Sequence, residues 1–390
     1  MIKKNIFKKI AACVMIAAMA VSVVACGSTD AGSNNKSANE ASQYSGRLEL
    51  DHSVEFKYAK NVSIDVYKGG YKMIKITQNN PFLVVPEGMA VPSDIDSDVC
   101  VLQQPIDNII VSSTPTMSLL NSLGCLDKVA LTTTDKNGWY IDNVKSKLES
   151  GDIKYIGSYQ EPDFEMIAAS GSTFGVFSTM LKDEVADKLK QLNVNYILDQ
   201  SSAEDHPLGR VEWIKVYGAL FNKEAEADKH FAEQEKLVAD IQNTSKSTDK
   251  TVAVFYITSK GDLYARNSDD YMTKMVTLAG GKYVLDGKVG VGKTGTTKME
   301  AEAFYSSAKD ADIIIYIWSM GGKPATIADL VAKSEVLGDM KAVKDGNVWC
   351  TTADFFQTSS TIGNIISDIS KVVSSTDSNT DKYTYLFKLK

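Results

Sequence analysis

The feature that most constrains the fold is a long helical pattern in the middle of the chain, at residues 206–245. Pro207 suits a first helical position, and Asn222 offers a side-chain cap for a second helix of about 22 residues. The apolar stripe of this second helix is thin, consisting of Ala227, Phe231, Leu237, Val238 and Ile241. A helix this long and this polar, between two strand-rich halves, is typical of a rigid connection between two lobes. An ordinary surface helix is the alternative.

Strand and helix patterns alternate on both sides of this connection. Residues 52–85 alternate apolar and polar side chains, which predicts two or three antiparallel strands. The next strands are predicted at 108–111, 129–132, 154–156, 174–178 and 196–198, with helices at 117–123, 163–169 and 182–192. After the connection, strands are predicted at 251–258, 283–285, 312–318 and 347–351, with helices at 271–279, 299–308, 326–332 and 362–373. We therefore predict an α/β fold with two lobes, residues 51–221 and 246–390, joined by an inter-lobe helix at 222–245.

The N-terminus has the pattern of a lipoprotein export signal. Four lysines precede a short apolar run that ends in the sequence VVACG at residues 23–27. The run is too short for a membrane span. We interpret residues 1–25 as a signal peptide, Cys26 as the lipid-modified first residue of the mature chain, and residues 26–50 as a flexible tether. An ordinary signal peptide is the alternative.

Charge and cysteine usage narrow the possible partners. The formal net charge is −7, and removal of the four lysines of residues 1–25 would move it to −11. A surface this acidic argues against nucleic acid as a partner. Cys100, Cys125 and Cys350 remain after processing and show no metal-ligand spacing, so we expect buried thiols, with one disulfide as an open alternative.

Two further classes of function find little support in the sequence. Residues 287–294 satisfy the phosphate-loop pattern GxxxxGKT, but a polar segment follows them instead of a helix. We expect a glycine-rich loop there and no nucleotide site. The three histidines, His52, His206 and His230, lie in unrelated contexts, so neither a bare-metal site nor a serine–histidine catalytic set is predicted. No cofactor is indicated.

Several segments resemble one family of binding proteins. Residues 108–124, NIIVSSTPTMSLLNSLG, resemble the first strand, Ser-Pro loop and first helix of the ABC-importer substrate-binding proteins for ferric siderophores, haem and cobalamin. Residues 157–159, 162–167 and 174–176, then 278–281, 302 and 312–315, look like later elements of the same fold in the same order. The resemblance covers about residues 105–375 and implies a periplasmic-binding-protein-like fold with a ligand cleft between the lobes. Residues 52–100 exceed the family's usual lead-in, and we expect them to add strands to the first lobe's sheet.

The resemblance also implies a docking role for two glutamates. In the family, one glutamate on each lobe contacts an arginine pocket of the permease, and by position these are Glu165 and Glu302, with Glu300 competing for the second role. Charge-assisted contacts of this kind would fix the orientation of the two proteins. The alternative is that each is an ordinary first-turn glutamate stabilised by the helix dipole.

Ligand recognition is expected on loops at the carboxyl ends of strands, facing the cleft. Only three arginines occur in the chain, and Arg210 and Arg266 stand out among many lysines. Guanidinium groups and aromatic walls suit a bulky anionic chelate. The ligand-binding candidates are Ser113, Thr114, Trp139, Tyr140, Tyr159, His206, Arg210, Tyr256, Arg266, Trp318 and Phe355. Ordinary packing is the alternative for each aromatic residue, and a salt bridge with Asp205 or Glu212 is the alternative for Arg210.

Together these observations predict a monomeric, extracytoplasmic, lipid-anchored protein that captures an iron chelate, haem or a corrinoid and delivers it to an ABC permease without covalent chemistry. The stiff connection predicts a small opening angle between the lobes. A surface lipoprotein with hydrolase or sensory activity on the same scaffold is the alternative.

Overall fold

The computed structural model describes residues 47–244, 248–318, 323–374 and 383–390. The expected signal peptide, Cys26 and the tether up to residue 46 lie outside the described residues. Residue 50, expected at the end of the tether, already begins a strand.

Residues 50–103 form a five-stranded sheet of their own, here called the accessory sheet. Its strands are, in order across the sheet, β1 Leu50–Ser53, β2 Val62–Tyr67, β3 Lys72–Ile76, β4 Phe82–Val85 and β5 Cys100–Gln103. The alternation along β2 and β3 buries Ile64 and Ile74 on the face that joins the main core. Tyr71, Leu83 and Val85 form a small separate core. The expectation that these strands extend the first lobe's sheet is therefore wrong.

Two buried carboxylates attach the accessory sheet to the rest of the chain. Glu212 is 0% exposed and accepts from the backbone N–H groups of residues 57, 58 and 59 at 2.8, 2.8 and 2.9 Å. Glu204, 1% exposed, accepts from the N–H groups of residues 60 and 61 and from the indole N–H of Trp213. Five backbone donors that precede β2 are thus satisfied by side chains about 150 residues later, consistent with the rule that buried polar groups are paired.

The first α/β lobe is built on a five-stranded parallel sheet in the order β12, β11, β6, β7, β8. The strands are β6 Ile109–Val111, β7 Val129–Thr132, β8 Lys154–Tyr155, β11 Phe174–Ser178 and β12 Asn195–Asp199, with the short pair β9 Gly157–Ser158 and β10 Glu161–Pro162 beside them. The helices are α1 Thr114–Ser122, α2 Asp142–Ser150, α3 Phe164–Ser170 and α4 Asp183–Gln191. Asn79 lies against the edge strand β12, where its amide accepts from the N–H of Leu198 at 2.7 Å and donates to the carbonyl of Leu198 at 3.1 Å.

Three helices follow: α5 Pro207–Glu212, α6 Ile214–Phe221 and α7 Glu224–Thr244. Helix α7 is the predicted connecting helix, and it packs against α6 of the first lobe and against the C-terminal helix α12 Ile362–Ser374. Its buried positions include four of the five predicted stripe residues. Gly218 permits the close approach of α6, because a Cβ there would lie 2.8 Å from the Cβ of Ala227.

The predicted role of Asn222 is wrong. Asn222 ends α6 in the left-handed conformation, with φ 55°, instead of capping the start of α7 with its side chain. The side chain accepts from Lys72 at 2.8 Å and from Gln104 at 3.0 Å, and so joins the accessory sheet to the α6–α7 corner. Asparagine adopts the left-handed backbone conformation more readily than most residues. Asn222 is therefore suited to end α6, although the sequence suggested that it begins α7.

The second α/β lobe has a seven-stranded mixed sheet. Parallel strands β13 Thr251–Ile257, β17 Ile313–Tyr316 and β18 Val348–Thr351 form its centre, β15 Lys282–Tyr283 pairs with β13, and β14 Leu263–Arg266, β16 Thr296–Met299 and β19 Leu386–Lys388 are antiparallel additions. The other helices are α8 Tyr271–Leu278, α9 Ala301–Ala308, α10 Ile327–Val331 and α11 Lys341–Lys344.

The glycine-rich loop at residues 287–295 leads into strand β16. The sequence had predicted that no helix follows this loop, and this prediction is confirmed. The carboxylates of Asp269 and Asp270 accept from the N–H groups of Gly292 and Gly295 at 2.6 and 2.9 Å. These bonds tie the loop to the segment before α8. A phosphate-binding geometry at a helix N-terminus is therefore absent from this loop.

The three described cysteines are free thiols, with Cys125 and Cys350 buried and Cys100 half-buried. Burial raises the pKa of Cys100 to about 11 and that of Cys350 to about 12. Among the described residues, no helix combines the length and the apolar character needed to cross a membrane.

Candidate ligand-binding site

The start of α1 and the carboxyl edge of the first lobe's parallel sheet form a largely buried polar cluster. Ser113 is the N-cap of α1, and its hydroxyl accepts from the N–H of Thr116 at 3.3 Å. Thr114 is the first residue of the helix and is half-buried. Asp199, at the end of β12, accepts hydrogen bonds from the hydroxyls of Thr116 and Tyr217. Because the carboxyl ends of parallel strands share one edge, these groups lie together.

The two arginines singled out from the sequence converge from the two lobes. Arg210 lies on α5, and its guanidinium carbon is 3.5 Å from the ring centroid of Tyr271 at the start of α8. The guanidinium of Arg266, at the end of β14, lies 6.0 Å from the same centroid. Asp270 completes this group, here called the arginine cluster, with an oxygen 3.6 Å from Arg266. The partners of Arg210 are the carbonyls of Ser202 and Glu204, so the expected salt-bridge alternative is not what holds it.

Arg266 is a buried cation whose hydrogen-bonding capacity is not filled. It is 8% exposed, and its Nε–H has no hydrogen-bond partner among the described residues. A guanidinium carries five N–H donors, and a buried donor without an acceptor costs about 1–3 kcal/mol. Burial also lowers the pKa of Arg210, against the opposing effects of Tyr271 and Asp270. The cluster is therefore suited to accept an anionic group.

Asp205 connects the lobes beside this cluster, and His206 next to it packs against the segment that precedes β2. The Nδ1 of His206 accepts from the N–H of Leu208 at 3.1 Å, so His206 is the N-cap of α5, and its ring stacks on Tyr58 at 4.5 Å between centroids. Asp205 pairs with Lys274 of α8 at 2.8 Å and with Lys60 at 3.1 Å. In this conformation His206 performs a structural role.

A second set of contacts joins the lobes near α1. The side chain of Gln357 accepts from the N–H of Tyr140 at 2.8 Å and donates to the carbonyl of Gly138 at 2.6 Å. The hydroxyls of Ser118 and Ser360 are 2.9 Å apart. Polar contacts thus close the lobes against each other at two separate places.

The aromatic candidates divide into buried and accessible side chains. Trp139 is 1% exposed and donates its indole N–H to the carbonyl of Thr134 at 3.0 Å, and Phe355 is 4% exposed, so both pack in the core. Tyr140 is 44% exposed, and Tyr159 is half-buried in the β9–β10 turn. Ordinary packing, the alternative given for each aromatic residue, describes Trp139 and Phe355.

Tyr256 and Trp318 belong to the second lobe and lie outside the arginine cluster. Tyr256 stacks on Tyr264 with 5.2 Å between ring centroids. Trp318 follows β17, donates its N–H to Thr351 at 3.1 Å, and has the ammonium of Lys323 at 5.7 Å from its ring centroid. Both rings are half-buried and keep accessible surface.

The sequence analysis did not identify two large exposed side chains of the first lobe. Met180, after β11, is 62% exposed, and Tyr155, at the end of β8, is 41% exposed. With Tyr140 after β7, they place three large exposed side chains at the carboxyl edge of one parallel sheet. The available signal was their position at or directly after the ends of predicted strands.

The two glutamates expected to dock the permease are exposed in first helical turns. Glu165 is in the first turn of α3, behind the N-cap Asp163. Glu302 is in the first turn of α9, and Glu300 is the N-cap residue of that helix without a side-chain cap bond. Both docking and the dipole alternative fit these positions. Among the described residues, no group of three or more His, Cys, Asp or Glu side chains is arranged to hold a metal ion.

Two α/β lobes, crossed by one long helix and joined by polar contacts, define a two-lobed architecture with a candidate ligand site at the junction of the lobes. A family model described as periplasmic binding protein matches residues 109–354, which include both lobes' central strands and the connecting helix. The chain belongs to the periplasmic binding protein family.

The chain is also similar to individual proteins. An uncharacterized lipoprotein of Methanocaldococcus jannaschii is 26% identical over 327 residues, covering 77% of each chain, and a second uncharacterized lipoprotein of that organism is 26% identical over 297 residues, covering 74% of each.

Among solved structures, a periplasmic binding protein from Veillonella parvula has a TM-score of 0.57 and 18% identity, and covers 80% of this chain and 98% of that one. The haem-binding protein HutB of Vibrio cholerae has a TM-score of 0.56 and 12% identity, with 67% and 98% covered. The petrobactin-binding protein YclQ of Bacillus subtilis has a TM-score of 0.55 and 16% identity, with 69% and 92% covered. At these identities the structures establish a shared fold.

Proposed function

We propose that this protein is the extracytoplasmic, lipid-anchored substrate-binding component of an ABC importer, and that it captures an anionic iron chelate, haem or a corrinoid between its lobes. It acts as a monomer, carries the ligand to the permease, and performs no covalent chemistry. Structures of similar fold include proteins named for haem and for petrobactin, which is the chemical range we assign to the cleft.

The observation that carries this proposal is the arginine cluster. Two guanidinium groups from different lobes lie around one tyrosine ring, and the Nε–H of Arg266 has no acceptor in the part of the chain that the structure describes. A ligand carboxylate or catecholate oxygen would supply that acceptor and would be held by both lobes at once. Ligand binding would therefore favour the closed arrangement of the lobes.

The exposed side chains at the sheet edge provide the apolar part of the proposed site. Tyr140, Tyr155 and Met180 offer two rings and a flexible thioether, which suit a large flat or aromatic ligand. Glu165 and Glu302 are exposed on different lobes and are the proposed contacts to the permease. Cys26 is the proposed lipid anchor, in keeping with the lipoprotein names of the two relatives.

Native mass spectrometry of the protein purified from its own source tests the function directly. The expected result is a co-purified ligand containing iron or cobalt, whose mass identifies the class. Titration of the purified protein with ferric siderophores, haem and cobalamin, followed by tryptophan fluorescence, then gives the affinity. Failure of every ligand to bind, together with hydrolysis of an ester or phosphate substrate, would replace this proposal with the enzymatic alternative.

Variants of the arginines test the site separately from the function. Arg266→Gln and Arg210→Gln should each weaken binding of an anionic ligand by about 10- to 100-fold, the range expected when a charge-assisted hydrogen bond is lost. Arg47→Gln is the matched control, because Arg47 is exposed at the start of the described chain. Binding that is unchanged in both cluster variants would show that the ligand lies elsewhere, even where the wild-type protein binds it.

A further inference from the structure

A cavity lies between the accessory sheet and helices α6 and α7. Its volume is about 510 Å³, within the range of about 300–1,000 Å³ that is usual for small-molecule pockets. The sheet side of its lining comes from residues 52–72, which precede the segment matched by the family model, and no residue of the arginine cluster lines it. The cavity is therefore a feature that the accessory sheet adds to the fold.

The inner wall of the cavity is apolar. Ile64 of β2 and Ala219 of α6 are 1% and 2% exposed, and Val54 and Val66 beside them are half-buried. Such a wall favours the hydrocarbon part of a ligand, at about 25 cal/mol for each Å² removed from water. The apolar wall therefore favours a ligand with an apolar part, but it does not determine the charge of that ligand.

The two lysines of the lining are already neutralised. The ammonium of Lys72 donates to the carbonyl of Ala219 at 3.0 Å and to Asn222 at 2.8 Å, and it forms an ion pair with Glu224. The ammonium of Lys215 donates to the carbonyl of Glu55 at 2.7 Å and to Glu212 at 3.2 Å. Neither cation is left to attract an anion.

Two carboxylates of the lining remain without a cation. The side chains of Glu55, after β1, and Asp228, in the second turn of α7, are exposed, and neither forms an ion pair with another described residue. Glu224 and Glu226 occupy the first turn of α7, where they offset the partial positive charge of the helix end. The electrostatic balance at the mouth of the cavity is therefore negative.

We propose that this cavity is a second binding site, selective for a small organic cation that joins a protonated amine to an apolar body. The apolar body contacts Ile64, Val66 and Ala219, and the amine lies between Glu55 and Asp228. The site is separate from the proposed cleft between the lobes and does not depend on the ligand bound there.

Amide chemical shifts of the ¹⁵N-labelled protein provide the test, with n-hexylamine as the probe and hexanoate and 1-hexanol as matched anionic and neutral compounds. Hexylamine should produce saturable shifts at residues 54, 64–66 and 219, hexanol weaker shifts at the same amides, and hexanoate none. Equal effects of hexylamine and hexanoate, or no saturable shift with hexylamine, would overturn the proposal. Shifts confined to residues 113, 210 and 266 would place the amine in the other cleft and would overturn it as well.

Two variants separate charge from shape. Asp228→Asn should weaken hexylamine binding about three- to fivefold, as expected for one exposed ion pair, whereas Glu233→Gln, an exposed change on the same helix, should leave it unchanged. Val66→Trp should fill the cavity and abolish binding. If Val66→Trp does not fold, as judged by circular dichroism, the comparison of Asp228→Asn with Glu233→Gln decides, and equal affinity in those two variants refutes the role of the carboxylate.

Discussion

Glu212 should be one of the most sensitive residues for the stability of this protein. One carboxylate oxygen accepts from the N–H of residue 57 and from Lys215, and the other accepts from the N–H groups of residues 58 and 59. In Glu212→Gln, one oxygen becomes an NH₂ donor, so two donors lose their acceptor in either orientation of the amide. With about 1–3 kcal/mol for each buried unsatisfied donor, we expect a destabilisation of about 3 kcal/mol.

Urea unfolding followed by tryptophan fluorescence measures this change through the shift of the midpoint. Amide hydrogen exchange supplies a local measurement, and exchange at residues 57–61 should accelerate most. Glu233→Gln, an exposed change on α7, is the control and should stay within about 0.5 kcal/mol of wild type. A Glu212→Gln protein with wild-type stability and unchanged exchange at residues 57–61 would refute the idea that this carboxylate holds the accessory sheet.

Three further predictions follow from the conformation of the chain. Burial lowers the pKa of His206 below 6.5, so the unfolded state binds more protons than the folded state as the pH drops below that value, and the free energy of unfolding should fall. His206→Asn keeps a helix cap and should flatten this pH dependence. Urea midpoints measured from neutral to acidic pH test this. Gly290→Ala should lower the melting temperature more than Gly292→Ala, because a Cβ at residue 290 would lie 2.1 Å from the Asn267 side chain whereas none lies within 4 Å at residue 292, and equal effects would contradict this. Small-angle scattering should show only a slight change of radius when a ligand binds, since one stiff helix connects the lobes, and a large compaction would count against that connection.

Local patterns were sufficient to predict most of the central elements. Strands at 129–132 and 174–178 match their predicted bounds, and the helix predicted at 362–373 differs by one residue. These segments are apolar runs bounded by turn residues, so their burial is already evident in the sequence. The antiparallel strands β14 and β16 were not predicted, because they are short and half polar and depend on each other for pairing.

The site was harder to predict, because its geometry depends on contacts between distant residues. Trp139 follows a strand as a ligand-contacting aromatic would, yet its ring turns into the core and is fixed there by the carbonyl of Thr134. Arg210 and Arg266 were selected for their rarity, and the fold brings them to one tyrosine ring. The roles of Glu204 and Glu212 are not evident in the sequence, since their partners are backbone groups of another segment that carry no side-chain signature.

The position of Asn79 has a consequence for self-association. Strand β12 lies at the edge of the parallel sheet, and its free backbone groups would otherwise form a template for a strand from another molecule. The amide of Asn79 reproduces the hydrogen-bonding pattern of a peptide group and occupies both backbone groups of Leu198. A single side chain from the accessory sheet thus terminates the ladder at this point, and it should protect the protein against edge-to-edge aggregation at high local concentration.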